Sequence, residues 1–316
     1  MSKKIATREA YGETLLALGK ENPNVVVLDA DLSKSTKTHD FSKHYPERFF
    51  NMGIAEANMM GTGAGLAAAG KIPFCSTFAV FATGRAYDQV RNSIAYPKLN
   101  VKIAATHAGI TVGEDGGSHQ SIEDIAIMRA LPGFTVFVPA DAVETEGAIR
   151  AAAEIDGPVY IRLGRSGVPV IHDKENFKFN PGEAVKLRDG DHVTIIATGI
   201  MVSAALEAAE QLAKEGINAQ VLDVHTIKPL DITAVVDAAR ETGAVVTAEE
   251  HSIIGGLGSA VAETLSEHYP VPLKRVGVRD TFGESGKPAE LLEHYNLTAS
   301  GIIEAVSKVM EKKSKK

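Results

Sequence analysis

The sequence predicts an α/β protein with two doubly wound domains. Three observations carry that expectation. Helical and strand-like patterns alternate from end to end, the strand-like runs are short and continuously apolar, and the alternation breaks once, between about Gly164 and Asp191. Continuous apolar runs are what strands covered on both faces need, whereas a sheet with one wet face alternates apolar and polar residues.

Arg8 to Lys20 has apolar positions at helical spacing, and Asn24 to Leu28 is a β-branched run that ends in Asp29-Ala30-Asp31. Helix over Ile54 to Ala69, strand over Ile72 to Phe78, helix over Ala86 to Ala95 and strand over Val101 to Thr106 follow. Next come helix Ser121 to Arg129, strand Thr135 to Val138, helix Asp141 to Ala153 and strand Pro158 to Leu163. Pro169, Pro181 and the polar run Asp173-Lys174-Glu175-Asn176 then deny the chain any helical period, which reads as a linker. Alternation resumes with strand His192 to Ala197, helix Met201 to Glu215, strand Ala219 to Val224, helix Ile232 to Glu241, strand Ala244 to Ala248 and helix Gly258 to His268. Thr298 is placed to cap a last helix, and Lys312-Lys313-Ser314-Lys315-Lys316 reads as its frayed, solvated end. The expected division is a first domain over residues 1–165, a linker over 166–190 and a smaller second domain over 191–316.

Composition narrows the function classes. A length of 316 residues suits two domains, and 33 Lys plus Arg against 40 Asp plus Glu give a net charge of −7, which argues against nucleic acid as a partner. No 18-residue apolar run occurs, and Met1-Ser2-Lys3-Lys4 leads straight into mixed sequence, so neither a membrane span nor a secretory signal is expected. A single cysteine, Cys75, forbids an internal disulfide or a cysteine zinc cage and agrees with a cytoplasmic location.

Four segments could carry chemistry. Glu56 is the lone acidic residue in Asn51-Met52-Gly53-Ile54-Ala55-Glu56-Ala57-Asn58-Met59-Met60, ahead of the small residues Gly61 to Ala69. A carboxylate there is either used chemically or serves as a first-turn partner of the helix dipole. Gly61, Gly63 and Gly65 imitate a dinucleotide loop, but they lie inside the helical pattern and not in the preceding turn, which makes a nicotinamide enzyme a poor reading. The segment His107 to Gln120 follows a strand and sets His107, Glu114, Asp115 and His119 among glycines, a flexible backbone at the end of the sheet where ligands bind. Metal ligation there competes poorly, because the two histidines are far apart and not at helical spacing. Arg162-Leu163-Gly164-Arg165-Ser166-Gly167 is either an oxyanion clamp or two surface arginines covering a sheet edge. Gly255-Gly256-Leu257-Gly258 reads as a tight strand-to-helix turn.

Gly53-Ile54-Ala55-Glu56, Ser76-Thr77-Phe78-Ala79-Val80-Phe81 and Gly113-Glu114-Asp115-Gly116-Gly117-Ser118-His119-Gln120, in that order, resemble the pyrimidine-binding domain of transketolase, and the resemblance runs on into the second domain. It implies thiamine diphosphate as cofactor. Glu56 would then hydrogen-bond the aminopyrimidine, Phe81 would stack on that ring with Phe78 beside it, and Asp31 would lie near the cofactor. By the same resemblance His119 and Asp115 would contact the sugar near the reacting bond. Arg8, Ser35, His107 and Arg165 would receive its terminal phosphate.

Two departures from the family pattern stand out. Gly84 falls where many full-length relatives carry a third aromatic, and the Gly-Asp-Gly segment that holds the diphosphate through Mg²⁺ is absent from its usual place; Arg188-Asp189-Gly190-Asp191 lacks the leading glycine. No metal ligand is therefore expected in this chain. The resemblance implies the C-terminal subunit of a split transketolase, its gene divided between domains. An N-terminal subunit would supply Mg²⁺ and the diphosphate site, and the two would assemble as a heterotetramer that moves a two-carbon ketol unit between sugar phosphates of the pentose phosphate pathway. The alternatives are a β-type subunit of a deoxyxylulose-phosphate synthase or 2-oxo acid dehydrogenase, and a non-catalytic regulatory or binding subunit.

Overall fold

The computed structural model describes residues 4–314. Its first sheet has seven strands, in the spatial order Thr226–Lys228, Thr135–Phe137, Val159–Arg162, Lys102–Thr106, Ile72–Phe78, Val25–Asp29 and Phe49–Asn51. The last six are parallel neighbours throughout. The second sheet runs Leu273–Val278, Val245–Ser252, Val193–Ala197, Ala219–Asp223, Val185–Arg188, and only the last of these is antiparallel. Both expected doubly wound domains are present.

Strand Val25–Asp29 shows why its run is apolar without alternation. Val25 and Val27 pack with Tyr11, Leu15 and Ile149 beneath helices Thr7–Glu21 and Ala142–Glu154. Val26 and Leu28 point the other way, against Met59, Met60 and Ala64 of helix Glu56–Ala68. Both faces exclude water, so every position is buried. The small residues of that helix permit its close approach: a Cβ on Gly63 would lie 2.6 Å from Cys75 Sγ.

The two sheets are not independent bodies. The cluster around Met59 continues through Ile196, Leu222 and Leu257 of the second half of the chain. Moreover, Thr226–Lys228 follows the second-sheet strand Ala219–Asp223 in sequence yet pairs antiparallel with Thr135–Phe137 and so completes the first sheet.

Several expectations need correction. The stretch read as a linker contains two strands: Gly167–Pro169 pairs with Lys4–Ala6, and Val185–Arg188 joins the second sheet. The helix expected over Ala86 to Ala95 is regular only at Tyr87–Gln89, between wide π-helical turns at Phe81–Arg85 and Val90–Ala95. Thr298 does cap helix Ala299–Lys313, accepting the N–H of Gly301 at 3.3 Å. The helix end is not simply solvated, since Lys313 Nζ donates to the carbonyls of His192 and Thr242 at 3.0 and 2.7 Å; Lys315 and Lys316 lie outside the described residues. Among the described residues no helix is long and apolar enough to cross a membrane.

Candidate active site

Glu56 opens its helix, 4% exposed, at the carboxyl end of the first sheet. Its Oε1 accepts a hydrogen bond from Arg85 Nη1 at 3.1 Å. The wide turn Phe81–Arg85 brings the same guanidinium 4.1 Å from the centre of the Phe81 ring, and Phe78 lies nearly parallel to Phe81 at 5.9 Å. Carboxylate, planar cation and aromatic rings thus form one continuous wall. Arg85 is not among the expected site residues, although it stands four residues after Phe81, where a helical neighbour would be sought.

His107 stacks on Phe78 with ring centres 3.8 Å apart and is 3% exposed. Its Nε2 lies 3.2 Å from Arg8 Nη1, which also donates to the carbonyl of Ser35 at 2.9 Å. Burial, followed by the charges of Arg8 and Arg165, pushes the His107 pKa down to about 3. The ring is therefore neutral at neutral pH, with Nδ1 2.9 Å from the Thr106 hydroxyl. Ser35 joins the group through its backbone oxygen.

That placement of Ser35 depends on Asp29, which in the sequence is only the end of an apolar run. Its Oδ1 accepts the Leu32 N–H at 2.6 Å, and its Oδ2 accepts the hydroxyls of Thr36 and Thr38 at 2.7 and 2.9 Å. The buried carboxylate folds the turn after its strand. Asp31 is exposed in that turn, with a φ of 65° and a hydrogen bond from Asn51 Nδ2 at 2.9 Å.

The loop from His107 to Gln120 is braced, contrary to the expected flexible backbone. Thr111 N–H donates to Glu250 Oε1 at 2.7 Å, Gln120 Nε2 donates to the Glu284 carbonyl at 2.9 Å, and Ser285 Oγ donates to the Glu114 carbonyl at 2.6 Å. A Cβ on Gly109 would fall 2.2 Å from the Glu250 carboxyl carbon, at a φ of 81°, so this close approach requires glycine. His119 stands edge-on to Phe81 at 5.3 Å, and Asp115 is exposed. Arg165 Nη1 donates to the Val112 carbonyl and lies 3.7 and 3.8 Å from the carboxylates of Glu114 and Asp115.

Arg162 fits neither reading offered for its segment. It is 7% exposed, its Nε donates to Asp124 Oδ2 at 2.8 Å, and its Nη2 donates to the Glu250 carbonyl at 2.9 Å. This arginine is a buried tie between the two halves of the chain.

Arg8, His107, Phe78, Phe81, His119, Glu56 and Arg165 thus gather beyond the carboxyl ends of parallel strands, where open α/β sheets hold ligands. The class so defined is a two-domain α/β protein whose first domain presents an aromatic and carboxylate wall beside a cationic cluster. Residues 3–170 match "Transketolase, pyrimidine binding domain" and residues 182–302 match "Transketolase, C-terminal domain". The chain belongs to the transketolase family. A solved structure described as a split gene transketolase, an inactive beta4 tetramer, is 63% identical, with a TM-score of 0.92 over 98% of this chain and 99% of its own. The 6-deoxy-6-sulfo-D-fructose transketolase subunit of Clostridium sp. (strain MSTE9) is 51% identical over 97% of this chain and 95% of its own. An apulose-4-phosphate transketolase subunit of Phocaeicola vulgatus is 39% identical over 98% of each.

Proposed function

We propose that this chain is the C-terminal subunit of a two-chain, thiamine diphosphate-dependent transketolase that moves a two-carbon ketol unit between sugar phosphates. The observation that carries the reading is the juxtaposition of the Glu56–Arg85–Phe81 wall with the Arg8–His107–Arg165 cluster. One side suits a flat nitrogen-bearing ring and the other a tetrahedral anion.

The residues present fit the pyrimidine end of the cofactor. Arg85 already places a planar, nitrogen-rich group between the Glu56 carboxylate and the Phe81 face. When bound, thiamine diphosphate supplies an ionisable carbon and an electron sink for carbon–carbon cleavage. Glu56 would hold a proton at the pyrimidine nitrogen, Phe81 would carry the ring with Phe78 behind it, and Asp31 would lie near the cofactor. His119 and Asp115 face the sugar and exchange protons with its hydroxyl and carbonyl oxygens.

Arg8 and Arg165 would supply charge to the terminal phosphate, neutral His107 would donate one hydrogen bond to it, and Ser35 would offer its hydroxyl. Arg165 exchanges its acidic partners Glu114 and Asp115 for the incoming anion. An N-terminal subunit contributes Mg²⁺ and the diphosphate contacts, and the two assemble as a heterotetramer in the cytoplasm, serving the pentose phosphate pathway. A relative named as a split gene transketolase, solved as an inactive beta4 tetramer, supports the need for a second chain.

A second reading concerns the substrate. The 51% identical Clostridium relative is named for a sulfosugar, and a sulfonate is a tetrahedral anion that the same arginines could take. The test mixes this chain with its candidate N-terminal partner, thiamine diphosphate and Mg²⁺. Ketol transfer is then assayed with donors that end in phosphate, in sulfonate or in neither. Transfer from phosphate-ended donors supports the main reading, and preference for sulfonate replaces the substrate. Absence of transfer and of cofactor binding overturns the proposal.

A further inference from the structure

Helix Ala142–Glu154 covers the first sheet, while strand Ala219–Asp223 belongs to the second, and the segment after Gly167–Pro169 runs between them. Each contributes one titratable side chain to a common point. Glu144 and Asp223 are wholly buried, and His172 is 7% exposed. His172 Nε2 lies 3.1 Å from Asp223 Oδ2 and 3.5 Å from Glu144 Oε1. We propose that Glu144, His172 and Asp223 form a divalent-cation site that ties the two halves of the chain together.

Distance supports this first. One donor atom from each residue lies within 4.8 Å of the others. A tetrahedral ion with bonds of about 2.0–2.1 Å separates its donors by roughly 3.3–3.4 Å, and the two edges that meet at His172, 3.1 and 3.5 Å, bracket that value.

Charge balance supports it next. Among the described residues Glu144 and Asp223 have no lysine or arginine as an ion-pair partner; His172 alone faces both. Two carboxylates out of water need compensating positive charge. Glu144 Oε1 and Asp223 Oδ1 are buried without a hydrogen-bond donor. A divalent ion neutralises such a pair with the imidazole neutral.

The surrounding contacts also hold the donors in place. Glu144 Oε2 accepts the Ala140 N–H at 2.6 Å, which leaves Oε1 directed to the cluster. Asp141 accepts the Glu144 N–H on one oxygen and the Ile171 and His172 N–H groups on the other. It thereby fixes two of the three donor-bearing backbones. Phe177 covers His172 with ring centres 4.2 Å apart, and an open cleft of about 470 Å³ is lined in part by His172, Asp173 and Glu146. One imidazole nitrogen, two carboxylates and no thiolate suit Zn²⁺ or Mn²⁺.

The test needs neither partner chain, thiamine diphosphate nor sugar, so its outcome is separate from that of the transferase reading. The full chain is purified without chelator and its metal content measured by plasma mass spectrometry. It is then stripped with EDTA and titrated with Zn²⁺ and Mn²⁺ by calorimetry, beside Asp223→Asn and His172→Gln, with circular dichroism as the fold check. The site predicts about one ion per chain, a heat that varies with buffer as protons are released, and binding weakened at least about tenfold in either variant. A wild-type chain that retains and binds neither ion overturns the proposal, as does undiminished binding by folded Asp223→Asn. Either result leaves a proton-shared ion triad. If neither variant folds, retention and titration of the wild-type chain decide.

Discussion

The carboxylate of Glu56, almost wholly removed from solvent, is met at 3.1 Å by the guanidinium of Arg85. Its other oxygen, Oε2, has no side-chain hydrogen bond or ion pair to another described residue. For the proposed proton exchange with a pyrimidine nitrogen, Glu56→Gln removes the titratable group with little change in volume. Turnover of the reconstituted enzyme should fall by about 10²–10⁴, the usual weight of an acid–base group, with circular dichroism and melting temperature unchanged. Steady-state kinetics near those of the parent would remove Glu56 from the chemistry.

Arg165 lies 3.7 and 3.8 Å from the carboxylates of Glu114 and Asp115, which the proposed phosphate would displace. Arg165→Ala should raise KM for phosphorylated sugars by at least about tenfold while changing KM for an unphosphorylated acceptor far less, because uniform binding energy is lost only where a phosphate is present. Equal effects on the two substrates would argue against a phosphate contact.

The pKa of His107 is depressed to about 3, so the folded state binds fewer protons than the unfolded chain between that value and the ordinary histidine pKa of about 6.5. The contribution is complete above about pH 6.5 and is lost as pH falls toward 3, at roughly 1.4 kcal/mol per pH unit. Urea unfolding at pH 6.5 and pH 5 should show the wild-type chain losing up to about 2 kcal/mol more than His107→Asn. Parallel losses would place the histidine in a wetter environment than its contacts with Phe78 and Arg8 describe.

Asp124→Ala leaves the Arg162 guanidinium buried without its main partner and removes the acceptor of the Tyr160 hydroxyl, which donates at 2.6 Å. Breaking one side of a buried pair costs about 3–5 kcal/mol. The urea midpoint should drop accordingly; a change below about 1 kcal/mol would mean that Glu250 substitutes for the lost carboxylate.

Two glycines in one helix should respond oppositely to alanine. At Gly63 the added methyl meets Cys75 Sγ at 2.6 Å, and overpacking of this kind costs about 1–3 kcal/mol. Nothing lies within 4 Å of a Cβ at Gly65, where alanine should stabilise the isolated chain by about 0.5–1 kcal/mol. Thermal melts of both variants check the sign of each effect.

Whether a feature is legible in the sequence follows its length and its locality. Ile72–Phe78 has the same bounds in sequence and structure because six consecutive residues, Pro73 to Phe78, are buried behind a half-buried Ile72. Phe49–Asn51 and Thr226–Lys228, three residues each, are too short to carry a period. Glu56 and the loop from His107 to Gln120 stand out because their residue types are unusual for their local patterns, whereas Phe81 stands out only through the family resemblance. Glu250 does not, because its hold on Thr111 spans 139 residues and leaves no local signature. Arg162 looks like its neighbour Arg165 in the sequence, and only the position of Asp124 across the sheet separates the buried arginine from the half-exposed one.

The strand Thr226–Lys228 imposes an order on synthesis. When the ribosome has made the chain through Arg162, six parallel strands can assemble, but Thr135–Phe137 presents an open row of backbone donors and acceptors. At roughly 5–20 residues per second, several seconds pass before Lys228 emerges to cover it. During that interval the nascent half-molecule has an adhesive edge, and neighbouring chains on one message can pair there before the proper strand arrives.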